Sequence, residues 1–74
     1  MTVIFHSIDQ KILYSVICKN TDKFTTIENL LYEEYPTYRD QENIFMINGL
    51  VINKYKNLEE NHISNSAVIL LSQL

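Results

Sequence analysis

Apolar and polar residues alternate from the start of the chain in a way that predicts two strands, Thr2 to Ile8 and Lys11 to Cys18, both rich in β-branched and aromatic residues. A turn at Asp9-Gln10 pairs Val3 with Val16, Phe5 with Tyr14 and Ser7 with Ile12, which brings all of these positions to one face. That agreement favours the register. Asp-Gln is a poorer turn than Asn-Gly, so a bulged loop with the pairing shifted by one stays open. The opposite face carries Ile4, His6, Ile8, Leu13, Ser15 and Ile17, more apolar than a solvated face requires.

Lys19 to Lys23 is polar and ends the alternation, and Thr25-Thr-Ile-Glu28 then offers a capping box at the start of a helix. Ile27, Leu30, Leu31 and Tyr35 recur at helical spacing, with Glu28, Asn29, Glu33 and Glu34 mostly on the other side. Pro36 disfavours helical geometry at Tyr35, so the helix stops there. Thr37 to Glu42 follows as a polar connection anchored by Tyr38.

The clearest hairpin lies at Asn43-Ile-Phe-Met-Ile-Asn-Gly-Leu-Val-Ile52. Asn48-Gly49 suits a type I′ turn, in which both central residues take positive φ. Such a turn pairs Ile47 with Leu50, Met46 with Val51 and Phe45 with Ile52, so Phe45 and Ile52 share one face while Met46 and Val51 share the other. Asn57-Leu-Glu-Glu60 reads as an N-cap and one helical turn, pinned by Leu58 and Ile63. Ser64 to Ser66 is a turn, and Ala67 to Leu71 is an almost unbroken apolar run, the pattern of a strand with a neighbour on each side.

Composition narrows the class. Seventy-four residues make one domain, spanning 1–74, with little room for a deep catalytic cavity. Six basic against nine acidic residues leave a net charge of −3, which disfavours nucleic acid and acidic membrane surfaces as partners. No run of about 20 apolar residues and no signal-peptide pattern is present. The single Cys18 forms no internal disulfide and reads as a small buried hydrophobe, which points to a cytoplasmic or nuclear protein. His6 and His62 have no partner at metal-ligand spacing, so neither a metal nor a cofactor is expected. Cys18 with His6 lacks an orienting third group, and Glu33-Glu34 and Glu59-Glu60 read as solvated faces. The chain is expected not to be an enzyme.

The element order is hairpin, helix, hairpin, short helical turn, last strand. With Ile4-Phe5 in the first strand, Thr26-Ile-Glu-Asn-Leu30 opening the helix, Asp40-Gln41 before the third strand, Gly49 in the turn, Leu58 to Ile63, and Ser66-Ala-Val-Ile-Leu70 at the end, it resembles ubiquitin-like domains of the β-grasp fold. The resemblance implies an α+β fold in which a mixed five-stranded sheet, order 2-1-5-3-4, carries one helix on one face. It further implies a core of Val3, Phe5, Tyr14, Val16, Ile27, Leu30, Phe45, Ile52, Leu58, Ile63, Val68 and Leu70.

On the open face the resemblance then gathers Ile8, Ile44, Met46, Ile69 and Leu71, where ubiquitin-like proteins present an apolar patch to ubiquitin-receptor domains. The expected function is a non-catalytic protein-interaction module, the N-terminal domain of a longer eukaryotic protein in the ubiquitin–proteasome pathway. Its expected partners are proteasome receptors, ubiquitin-associated helical domains or ubiquitin-processing enzymes. A monomer is expected, with a homodimer through the open face as the alternative. Ubiquitin-like modifiers need a flexible Gly-Gly tail, whereas this sequence runs Ser72-Gln-Leu74 straight after the strand, and it has Ile44 and Ser72 where ubiquitin carries arginines. A conjugatable modifier with its tail elsewhere is therefore the lesser reading. Another is a β-grasp domain that receives an extended peptide along the second strand, where Lys11, Lys19 and Lys23 would attract acidic flanks, as SUMO-type modifiers do. A Ras-type or phosphoinositide-binding domain would also draw on basic residues at that edge.

Overall fold

The structure, a computed structural model, describes residues 1–74. Its strands are β1 (Thr2–Ser7), β2 (Leu13–Ile17), β3 (Asn43–Ile47), β4 (Leu50–Val51) and β5 (Ala67–Gln73). One α-helix, α1 (Phe24–Glu34), and one 3-10 turn (Pro36–Tyr38) lie between β2 and β3. The strands form one sheet in the order β2-β1-β5-β3-β4, with β1 and β5 parallel and every other pair antiparallel. This is the α+β arrangement expected from the sequence, a small mixed sheet with one helix that is compatible with a β-grasp fold.

Both hairpin registers are as read from the sequence. Val3 faces Val16 and Phe5 faces Tyr14, so no shift by one occurs. The connection is nevertheless longer than two residues: the Ser7 amide donates to the Ile12 carbonyl at 3.1 Å, and Gln10 takes φ 64° inside the loop. Asp9 holds that loop, its Oδ1 accepting from the Ser7 hydroxyl (2.6 Å) and the Lys11 amide (3.1 Å). At the second hairpin Met46 faces Val51 and Ile47 faces Leu50, with Asn48 at φ 51° and Gly49 at φ 79° as a type I′ turn demands.

The helix begins one residue before the expected threonines. Lys23 is its N-cap and no side chain caps it. Two interactions account for this. The backbone before the helix is tied to the 56–58 segment, with the Phe24 amide donating to the Lys56 carbonyl and the Leu58 amide to the Asp22 carbonyl. Phe24 itself is buried between Phe5 and Phe45, with ring centroids 6.2 and 5.0 Å away in edge-to-face geometry. Phe24, Ile27, Glu28, Leu31 and Tyr32 therefore form the buried stripe, while Leu30 is only half-buried. A reciprocal capping box does exist, but at Asn57 and Glu60: Asn57 Oδ1 accepts from the Glu60 amide (2.7 Å) and Glu60 Oε1 from the Asn57 amide (3.0 Å).

The largest departure concerns β5. Ile69 and Leu71 are 0% and 1% exposed beneath the helix, whereas Val68 and Leu70 are 47% and 39% exposed on the other side. The expected assignment of these four residues is thus reversed. The cause is register, because parallel pairing sets Ile69 beside Phe5 and Leu71 beside Ser7, while antiparallel pairing sets Leu71 beside Phe45. Every one of those neighbours points into the core. Neighbouring residues across a sheet share a face, so the phase of β5 follows from its partners.

Candidate functional site

Cross-strand register also defines the open face. One row runs across the whole sheet, Leu13 on β2, His6 on β1, Leu70 on β5, Met46 on β3 and Val51 on β4. Ile4 beside Val68 makes a parallel row, flanked by Ser15, and Ile44 lies beside Ser72. None of the six basic and nine acidic residues stands at an open-face position of any strand. A sheet with one solvated face ordinarily alternates apolar and polar side chains. This one does not.

Three of the expected patch residues are on or beside this surface. Ile8 is well exposed just past the end of β1, and Ile44 and Met46 are half-buried on β3. Ile69 and Leu71 are not on it, and as closed core residues they have no surface to offer a partner. Val68 and Leu70 stand in their place. The outermost strands widen the surface, since Leu13 and Ile17 on β2 and Val51 on β4 are 73%, 86% and 70% exposed. Those residues were readable from the alternation in the first hairpin and from the Met46–Val51 pairing, but the family resemblance drew attention to the centre.

Lys11, Lys19 and Lys23 are all exposed. Lys11 and Lys19 flank β2, which is an edge strand, and Lys23 caps the helix. The structure sets Lys11 and Lys19 at the β2 edge of the sheet, whereas Lys23 bridges to Asn57 and does not join them.

Elsewhere the polar chemistry is structural. Glu28 is buried on the helix, where its Oε2 accepts from the Tyr32 hydroxyl at 2.7 Å and from Lys54 Nζ at 3.0 Å. Asn43 Nδ2 donates to the Tyr32 oxygen (2.9 Å) and to the Tyr38 carbonyl (2.7 Å), and Lys54 Nζ lies 5.4 Å from the centre of the Phe45 ring. Burial, reinforced by the hydrogen bond to Glu28, pushes the Tyr32 hydroxyl far above its ordinary range. This seam fastens the helix to the 54 loop and to β3. Periodicity had placed Glu28 among solvated residues, yet it lies one turn beyond Phe24 and one before Tyr32 on the buried stripe.

Cys18 is buried, and loss of hydration raises its thiol above the ordinary value. No three His, Cys, Asp or Glu side chains come together at metal-binding distance. The two surface clefts, of about 220 Å³ by Ser7 and Leu71 and about 180 Å³ by Val51 and His62, are smaller than the roughly 300 Å³ at which small-molecule sites begin. No helix is long and apolar enough to cross a membrane. No protein-family model and no curated protein matches the chain.

Proposed function

We infer that this chain is a ubiquitin-like, non-catalytic protein-interaction domain whose open sheet face binds a helical partner of the ubiquitin-receptor or proteasomal type. The uncharged apolar surface opposite the helix, centred on Met46 and Leu70, carries the reading. A helix about 10–12 Å across, laid on Met46, Leu70 and Val68, covers two to three strands at about 4.8 Å spacing. Its apolar stripe would dock there, and polar residues at its flanks would meet Ser72, Ser15 and the loops. The apolar area is modest, so affinity on the order of micromolar is expected. The reading also keeps the proposal of an intracellular domain within a longer eukaryotic protein.

The test is a resonance titration of labelled protein with a ubiquitin-associated helical domain. Shifts concentrated at Ile4, Met46, Val68 and Leu70 support the site. Shifts confined to the helix side, or none at millimolar partner, sink it. Met46→Asp is expected to abolish the shifts while leaving the fold intact.

A second reading draws on a specific observation: β2 is an edge with Lys11 and Lys19 at its two ends. An extended acidic peptide added to that edge would gain main-chain hydrogen bonds and charge attraction. In the same titration with such a peptide, shifts along Leu13–Ile17 that fade steeply with salt would mark that mode.

A further inference from the structure

We propose that a second copy of this chain covers the open face, two sheets packing face to face about a two-fold axis with the helices outside. The proposal concerns the same surface as the receptor reading but does not depend on it. It rests on extent, charge and area.

The row from Leu13 to Val51, apolar except for His6 on β1, crosses all five strands, four inter-strand spacings or roughly 19 Å, at about 4.8 Å each. A single helix covers about half of that width and leaves Leu13 and Ile17, or Val51, in water. A second sheet covers all of it, since stacked sheets lie about 10 Å apart with their apolar faces interdigitated.

Charge selects where like can meet like. Two copies each carry −3, and a two-fold contact brings each surface against itself. The open face holds no Lys, Arg, Asp or Glu to be repelled, and its one titratable side chain is His6 on β1. Of the two sheet edges, β4 is only two residues long and offers little to pair with, and the longer β2 edge is obstructed. Antiparallel β2–β2 pairing centred on Ser15 sets Leu13 opposite Ile17 and places Lys11 of one copy directly opposite Lys19 of the other. Like charges facing each other on neighbouring strands oppose that pairing.

Area sets the strength. A face of this width and about 17 Å of strand length offers on the order of 400 Å² per copy, about half of the 800 Å² per partner typical of stable complexes. The dimer is therefore weak and exchanging, populated at high local concentration. A receptor helix needs Met46 and Leu70, which the dimer hides, so the two states exclude each other and self-association holds the face in reserve.

Sedimentation of the full chain at concentrations rising from micromolar to millimolar tests this. The weight-average mass is expected to climb from 8.7 kDa toward twice that value. Leu70→Glu and, independently, Val51→Glu on the outer strand are expected to weaken association at least tenfold, with circular dichroism unchanged. Lys11→Glu, which would turn the edge repulsion into attraction, is expected to leave the wild-type mode in place. A mass that stays at the monomer value throughout overturns the proposal. So does association that survives Leu70→Glu and Val51→Glu and grows with Lys11→Glu, since the edge would then be the interface. Receptor binding is read separately at dilutions where the chain is monomeric, so the two readings fail or stand apart.

Discussion

The two faces of this sheet are made from the same kinds of residue and differ in what lies over them. On the helix side Phe5, Ile69, Leu71 and Phe45 sit side by side under Phe24, Ile27 and Leu31, all essentially closed to solvent. On the open side Ile4, Val68, Leu70 and Met46 occupy the alternate positions of the same three strands, half-buried or exposed. Hydrophobicity alone does not assign a face. The helix does, and strand register carries its choice from β1 through β5 to β3.

The sharpest way to break that comparison is to truncate neighbours on β5. Ile69→Ala opens a cavity under the helix and is expected to cost about 2–5 kcal/mol, whereas Leu70→Ala, one position on, should change stability by less than about 1 kcal/mol. Urea unfolding of the two variants checks it. Equal losses would mean that the open face is as well packed as the core.

That contrast also separates what was legible in the sequence from what was not. Asn48-Gly49 dictates positive φ at two successive residues, so the second hairpin and its pairing were readable from chemistry alone. In the first hairpin, Val3, Phe5, Tyr14 and Val16 alternate with other residues, and the register follows from that pattern. Val68 to Leu71 has no alternation at all, so its phase is absent from its own sequence and resides in its neighbours. Leaning on a resemblance to choose the phase placed Ile69 and Leu71 outside. Phe24 was missed because the polar run before it and the threonines after it suggested a loop and a cap. Yet Phe24, Ile27, Glu28, Leu31 and Tyr32 follow an i, i+3, i+4, i+7, i+8 stripe, a signal strong enough to have extended the helix backward.

A smaller loss on the helix side is expected from its polar seam. Tyr32→Phe removes the hydroxyl that donates to Glu28 and accepts from Asn43; Glu28 keeps Lys54 and Asn43 keeps the Tyr38 carbonyl, so the expected cost is about 1–2 kcal/mol. The same hydroxyl makes stability fall in base. Its folded pKa is raised, so its contribution is complete below the ordinary tyrosine value of 10.0 and is lost as pH climbs above it, where only the unfolded chain ionises readily. Melting of wild type and Tyr32→Phe from neutral pH upward should show the steeper decline in the wild type. The open face contains no comparable group.

At the hairpin that joins Met46 to Val51, Gly49→Ala isolates backbone strain from packing. A Cβ there meets nothing within 4 Å, but φ of +79° is unfavourable for any residue with a side chain. The expected cost is roughly 1 kcal/mol with no change in the exposure of either face. A loss as large as that of Ile69→Ala would instead show that the turn governs the register of the whole sheet.

The smallest effect is expected at the loop where the two faces meet, beyond β1. Asp9 is fully exposed, and hydrogen bonds from the Ser7 hydroxyl and the Lys11 amide hold its carboxyl below its ordinary value of 3.8. A lowered folded pKa contributes stability above the unfolded value and loses it as pH falls through the folded one, so the loop should loosen on acidification below about pH 4. Ser7 is buried on the core side while Ile8, the next residue, is exposed beside the open face, so the loosening should be felt on both. Amide exchange is expected to rise at Lys11 and Ile12, whose N–H groups donate to Asp9 Oδ1 and Ser7 Oγ, before any change at Ile69 or Leu71. Asp9→Asn keeps an acceptor oxygen without the titration and should flatten that dependence. If exchange at Ile69 rises together with that at Ile12, the loop and the buried face open as one unit, and the division between the two faces would not extend to their dynamics.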